Sequence, residues 1–97
     1  MDHKDLQVCR QVFDALTFAL AELDDPIIDE LVLTSVVPAP SAARVQITLS
    51  PSRAGIDPEE ALSRLREIAP ELRAEVAAEI SRRRVPELVF RIAQPGE

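Results

Sequence analysis

Apolar residues recur at helical spacing in the first part of this chain. Between Asp5 and Leu23 they fall every three or four positions, which is typical of an amphipathic helix with Asp2 or Asp5 as its N-cap. The helix is expected to end at Asp24-Asp25-Pro26, because the residue before a proline is pushed out of the α region. Its predicted apolar stripe is formed by Cys9, Val12, Phe13, Leu16, Leu20 and Leu23.

Two β-strands are predicted next. Leu31 to Val37 is rich in β-branched residues, which favour strands. Arg44 to Leu49 alternates polar and apolar side chains, which predicts one buried face carrying Val45, Ile47 and Leu49. The prolines in Pro38-Ala39-Pro40-Ser41 predict a connection between the strands, so we expect a hairpin.

A second helical region begins at Asp57, a good N-cap residue that is followed by Pro58 at the first helical position. Pro70 lacks an amide hydrogen and disfavours the α conformation at Ala69, so the pattern predicts a break there. One helix is expected to end at Pro70, and another to run from Glu71 to the basic residues at 82–84. A last strand is predicted from Glu87 to Ile92.

These elements predict an α+β fold with the order α-β-β-α-α-β. The helices should cover one face of a three-stranded sheet, and the 97 residues should form a single domain with an ordered core of about residues 5–93. The predicted core comprises Phe13, Leu16, Leu20, Leu33, Val45, Ile47, Leu65, Leu72, Val76, Ile80 and Val89.

The amino-acid composition limits which kinds of functional site the chain can form. Cys9 is the only cysteine and His3 the only histidine, so an intrachain disulfide and a zinc cage lack their ligands. With two glycines in the chain there is no glycine-rich phosphate loop, and no histidine is placed to act as a base. We therefore expect no catalytic residues, no metal and no cofactor. The absence of an apolar run of about 20 residues indicates no membrane partner, and a cytoplasmic location is expected.

Two features of the sequence have a structural and a functional interpretation. The run from Asp57 to Glu60 is expected to start a helix rather than to bind a metal, because its carboxylates diverge around one turn. Cys9 is expected to be a small buried apolar residue rather than a nucleophile, because no base lies near it in the pattern.

Charge is distributed unevenly along the chain, whose net charge is −6. Residues 1–60 hold 4 basic and 11 acidic side chains, whereas residues 61–97 hold 7 basic and 6 acidic ones. Any RNA affinity would therefore have to be local, on one face of the second half of the chain. The arginines that could neutralise phosphates on such a face are Arg64, Arg66, Arg73, Arg82, Arg83 and Arg84. The last three could instead cap a helix C-terminus and stay solvated.

Several short runs, in order over about residues 8–90, resemble those of a known family. They are Asp25-Pro26 before the first strand, the alternation from Arg44 to Ser50 and, most specifically, Leu72-Arg73 followed by Arg84-Val85-Pro86-Glu87-Leu88. In this order they are similar to the ribosome-binding factor A family, in which an Asp-Pro enters the first strand and a two-stranded segment follows. At the helix break the family usually has Ala-x-Gly, where this chain has Ile68-Ala69-Pro70.

The resemblance implies a type II KH-like domain that binds rRNA during late maturation of the small ribosomal subunit and has no catalytic activity. It adds Ala69 and Pro70, at the break, to the residues expected to contact RNA, although Pro70 could be purely structural. The expected partners are the small ribosomal subunit and its rRNA, and the chain is expected to act as a monomer. The alternative is a divergent KH-fold module that binds protein and has little RNA affinity, which fits the acidic net charge.

Overall fold

The structure is a computed structural model that describes residues 3–41, 43–80 and 85–93, with the side chains of residues 3 and 4 left out. Its elements are α1 (His3–Glu22), a short 3₁₀ turn (Ile28–Glu30), β1 (Leu31–Ser41), β2 (Arg44–Pro51), α2 (Pro58–Glu79) and β3 (Glu87–Ile92). The expected hairpin and final strand are confirmed. No helix in the described part of the chain is long and apolar enough to cross a membrane.

The three strands form one sheet in the order β1-β2-β3. β1 pairs with β2 antiparallel, as in a hairpin, and β3 pairs with the other edge of β2 in parallel. A parallel pair requires a crossover connection, which α2 provides. The central strand β2 is therefore covered on both edges, whereas β1 and β3 each have one free edge among the described strands.

Both helices pack on the face of the sheet that carries Val45, Ile47 and Leu49, as the alternation in β2 predicts. The buried residues of the hydrophobic core are Val8, Cys9, Val12, Ala15, Leu16, Ala19, Ile28, Val45, Ile47, Leu49, Ala61, Leu65, Ile68, Leu72, Val76, Ile80 and Ile92. This arrangement confirms the predicted α+β class with the helices on one face. Phe13, Leu20 and Leu33 were expected in the core but are only partly buried, and of these Leu20 and Leu33 pack against it.

The predicted burial of Val89 is wrong by one position along β3. In the parallel register Val45 lies beside Leu88, and Ile47 lies beside Phe90, so those two β3 side chains face the helices. Neighbouring strands keep the same facing, which puts Val89 on the opposite face of the sheet. The local sequence could not settle this point, because residues 88–90 are all apolar.

The predicted division of the second helical region at Pro70 is also wrong, because α2 is a single helix of 22 residues with Pro70 inside it. The observed element order is therefore α-β-β-α-β. Proline removes one helical hydrogen bond and costs about 3 kcal/mol relative to alanine. Ile68, Leu72 and Val76, on both sides of Pro70, are buried in the core, and their burial offsets this cost.

The sequence predicted the start of α2 correctly but not its end. Asp57 is its N-cap, and its side chain accepts a hydrogen bond from the amide of Glu59 at 3.0 Å, with Pro58 in the first turn as expected. The helix ends at Glu79, and Ile80 after it has an extended backbone, so the prediction that this helix continues to residues 82–84 is wrong.

β1 is longer than predicted, because Pro38 and Pro40 extend the strand instead of interrupting it. The peptide bond between Ala39 and Pro40 is cis. β1 is an edge strand, and proline is tolerated at a sheet edge because no partner there requires its missing amide hydrogen.

Candidate nucleic-acid interface

A cavity of about 550 Å³ lies between one flank of α2 and the start of β3. Arg66 and Arg73 both line it, because residues seven positions apart in a helix differ by only about 20° in direction. The other residues lining the cavity are Ala69, Pro70, Ala74, Ala77, Val85, Glu87 and Leu88. The structure therefore brings together four of the residues that the sequence predicted as RNA contacts: Arg66, Ala69, Pro70 and Arg73.

The chemistry of this cavity combines an apolar floor with two cations at its rim. Ala69 and Leu88 are partly buried, whereas Arg66 and Arg73 are exposed. Planar guanidinium groups bind phosphate oxygens through paired hydrogen bonds and stack on nucleobases. An unpaired base with its flanking phosphates fits such a surface.

Glu87 is the one carboxylate among the residues that line this cavity. Among the described residues it pairs with Arg44, whose Nε lies 3.9 Å from Glu87 Oε2 across the parallel pair of β2 and β3. Both side chains are more than half exposed, so solvent weakens this contact. Glu87 therefore opposes an anionic ligand at one end of the cavity.

Pro70 determines how a ligand can be recognised here. The backbone around it is helical, so the neighbouring amides serve the helix instead of forming an open loop that could cradle a phosphate. Pro70 has no amide hydrogen, so the carbonyl of Arg66 receives no helical hydrogen bond from that position. Recognition at this cavity must therefore come from side chains and from that carbonyl oxygen.

Arg64 lies apart from this cavity. It donates hydrogen bonds to Asp25 through Nε and to Glu67 at 2.8 Å through Nη1. These two hydrogen bonds raise the pKa of Arg64 above its ordinary value, and the one to Asp25 has the larger effect. Arg64 thus ties α2 to the segment after α1.

The opposite flank of α2 is acidic. Glu67, Glu71 and Glu75 are exposed and form a stripe about 150° around the helix from Arg66 and Arg73. The helix therefore carries these two arginines and these three glutamates on different sides. This segregation gives a chain of net charge −6 a local basic surface.

Arg82, Arg83 and Arg84 lie outside the described residues, so their arrangement remains a prediction. Val85, the next residue along the chain, lines the cavity. Sequence reasoning missed Ala74, Ala77, Val85, Glu87 and Leu88 as lining residues. Ala74 and Ala77 lie four and seven residues after Pro70, so helical periodicity alone could have identified them.

Two solved structures share this arrangement of helices and strands. The crystal structure of ribosome-binding factor A from Thermus thermophilus has a TM-score of 0.78 at 24% identity, over 91% of this chain and 94% of that one. The chain has the ribosome-binding factor A fold. The solution NMR structure of a Thermotoga maritima protein proposed to be a ribosome binding factor A has a TM-score of 0.79 at 18% identity, over 98% of this chain and 92% of that one.

The sequence resemblance to ribosome-binding factor A is thus confirmed at the level of the fold. No protein-family model matches this chain, and no curated protein sequence matches it significantly. In this ribosome-binding factor A fold, the helix that carries the basic flank is also the crossover between β2 and β3. The cavity therefore lies mainly on two elements of the core, with Val85 from the segment before β3.

Proposed function

We propose that this protein is a ribosome-binding factor A-type assembly factor, which binds rRNA of the small ribosomal subunit during late maturation and acts in the cytoplasm as a KH-like, non-catalytic domain. One observation carries the proposal: the cavity beside α2 gathers Arg66, Ala69, Pro70 and Arg73. The fold shared with two solved structures, one a ribosome-binding factor A and one proposed to be one, supports the same function.

In this proposal an unpaired nucleotide lies across the cavity. Its base contacts the apolar surface of Ala69 and Pro70, while Arg66 and Arg73 neutralise the phosphates on either side. We expect Arg82, Arg83 and Arg84 to add further phosphate contacts. Arg64 has no direct contact with RNA in this arrangement and holds α2 in place through Asp25.

The proposal is tested by titrating the isotope-labelled protein with a single-stranded oligouridine and following its amide resonances. Shifts should concentrate between Arg66 and Ala77 and at Val85 to Leu88, which line the cavity. Arg66→Ala and Arg73→Ala should each weaken binding about tenfold, as expected for a lost stacking or phosphate contact. Arg10→Ala removes an exposed cation from α1 and should leave the affinity unchanged.

Two charge variants, measured in the same titration, separate a local effect at the cavity from the effect of net charge. Glu87→Gln removes the carboxylate at the cavity and should strengthen RNA binding, whereas Glu71→Gln removes one from the acidic flank and should have little effect. Both changes alter the net charge equally, so a difference between them reports local contact instead of the overall field. Equal effects of the two variants, or shifts spread evenly over the protein, would contradict RNA binding at this cavity and would favour a protein-binding module.

A further inference from the structure

The free edge of β1 is flanked by an apolar groove that the proposed RNA contact does not use. The groove has a volume of about 390 Å³ and lies between α1 and β1, on the other side of the molecule's helical layer from the cavity beside β3. It is lined by Phe13, Thr17, Leu20, Ala21, Ile28, Asp29, Leu31, Val32 and Leu33.

The lining residues of β1 show that this groove reaches the backbone of the strand. Leu31 and Leu33 point toward the helices, whereas Val32 lies on the opposite face and is 51% exposed. A cavity lined by all three residues reaches the outer edge of the strand. β1 pairs only with β2 among the described strands, so backbone groups along its outer edge are available to an added strand.

The charge around this groove selects the partner. Asp29 is the one ionised side chain among the lining residues, and Glu22 lies exposed at the end of α1, beside Ala21. The last turn of α1 contains no basic residue, so the negative end of its helix dipole is not compensated. An RNA phosphate would be repelled here, whereas a cationic ligand would be attracted.

We propose that β1 and this groove bind an extended, basic segment of a protein partner, which adds as a fourth strand to the sheet at residues 31–37. Beside Leu31 to Leu33, alternate side chains of the segment would enter the groove, and lysine or arginine residues would lie near Asp29 and the end of α1. Pro38 and Pro40 have no amide hydrogens to offer, so they limit the added strand to the first part of β1.

The probe for this proposal is a capped synthetic peptide in which valine and lysine alternate. Amide resonances of residues 13–21 and 28–37 should shift on titration with it, and those beside the α2 cavity should stay unchanged. A peptide in which glutamate replaces lysine tests charge selection, and it should bind at least tenfold more weakly. An oligouridine is the nucleic-acid control and should not shift the β1 resonances.

Two variants on the protein complete the test. Asp29→Lys should weaken peptide binding about three- to tenfold, as expected for reversal of an exposed charge pair. Ala21→Arg places bulk and positive charge on the helical wall of the groove and should weaken it about tenfold, whereas Ala78→Arg on α2 is the matched control and should leave it unchanged.

Both Ala21 and Asp29 are exposed, so the two variants should retain the wild-type circular dichroism spectrum. The proposal is overturned if the peptide does not bind, if its shifts map elsewhere, or if Asp29→Lys binds it as well as wild type does. If the β1 resonances shift with protein concentration in the absence of peptide, the edge binds a second copy of the chain instead. Because the oligouridine titration reports separately on the α2 cavity, failure here leaves the proposed RNA contact untouched.

Discussion

Replacing Asp25 with asparagine should measure how much the contact between Asp25, after the end of α1, and Arg64 of α2 contributes to stability. Oδ1 of Asp25 accepts hydrogen bonds from the amides of Ile27 at 2.9 Å and Ile28 at 3.1 Å, and Oδ2 accepts one from Arg64. The Asp25 side chain is only 10% exposed. Asparagine can keep the two amide hydrogen bonds through its carbonyl oxygen, but it loses the charge that pairs with Arg64.

The expected loss of stability follows from these contacts. A hydrogen bond to a charged group contributes about 1.5 to 3 kcal/mol. Arg64 remains 37% exposed and keeps its contact with Glu67, so solvent and that carboxylate compensate for part of the loss. We expect Asp25→Asn to lower the free energy of unfolding by about 1 to 2 kcal/mol at neutral pH.

The effect should depend on pH in a defined direction. Burial by itself raises the pKa of Asp25, but the hydrogen bonds from Arg64, Ile28 and Ile27 outweigh it and hold the pKa below its ordinary value. As the pH falls, the carboxyl of this residue is protonated in the unfolded chain first, at about pH 3.9, and in the folded protein only at lower pH. The stabilisation is therefore present above about pH 4 and is lost as the pH falls through the lower pKa of the folded state.

Urea unfolding followed by far-ultraviolet circular dichroism measures this directly, since the chain has no tryptophan or tyrosine to report by fluorescence. Asp24→Asn is the matched control, because Asp24 is exposed and its change should stay within about 0.5 kcal/mol. A cost for Asp24→Asn equal to that of Asp25→Asn, or a difference between the wild type and Asp25→Asn that persists unchanged in acid, would refute this reasoning.

The packing of Pro70, β3 and Cys9 leads to three more predictions. Pro70→Ala should raise the free energy of unfolding by about 1 to 3 kcal/mol, because it restores the helical hydrogen bond to Arg66, and a loss of stability in the same urea titration would show that the exposed ring is packed. Phe90→Ala should cost about 3 kcal/mol and Val89→Ala about 1 kcal/mol or less, since only Phe90 packs on the core; the reverse order would contradict the β3 register. The thiol of Cys9 should react with a thiol reagent only as fast as the protein opens, because burial raises its pKa and Asp5 adds to that effect; rapid labelling of the native protein would contradict this.

Local patterns predicted most of the fold, and they failed where tertiary contacts decided the outcome. The alternation from Arg44 to Leu49 identified the buried face of β2, because a half-covered strand must alternate. The same rule could not place Val89, since the run around it is apolar on both faces. Pro70 would end an isolated helix, but burial of the apolar stripe on both sides of it keeps α2 continuous.

The candidate site was predicted in part for a similar reason. Arg66 and Arg73 were both expected to contact RNA, but the predicted break at Pro70 put them on separate helices. Only the continuous α2 places them seven positions apart on one helix, where both line a single cavity. No local pattern indicates that Arg64 is held by Asp25, because the two residues are 39 positions apart in the chain. The groove beside β1 also depends on which strand lies at the edge of the sheet, which only the assembled sheet determines.

The proposed function is tested most directly by co-sedimentation with small ribosomal subunits across a salt series. Wild type should bind, and its affinity should fall steeply as salt rises. Arg66→Ala and Arg73→Ala should each bind more weakly and reduce the slope of log affinity against log salt by about 0.7, while Arg10→Ala should match wild type. Equal binding by all four proteins, or no binding by any of them, would contradict an RNA contact at the α2 cavity.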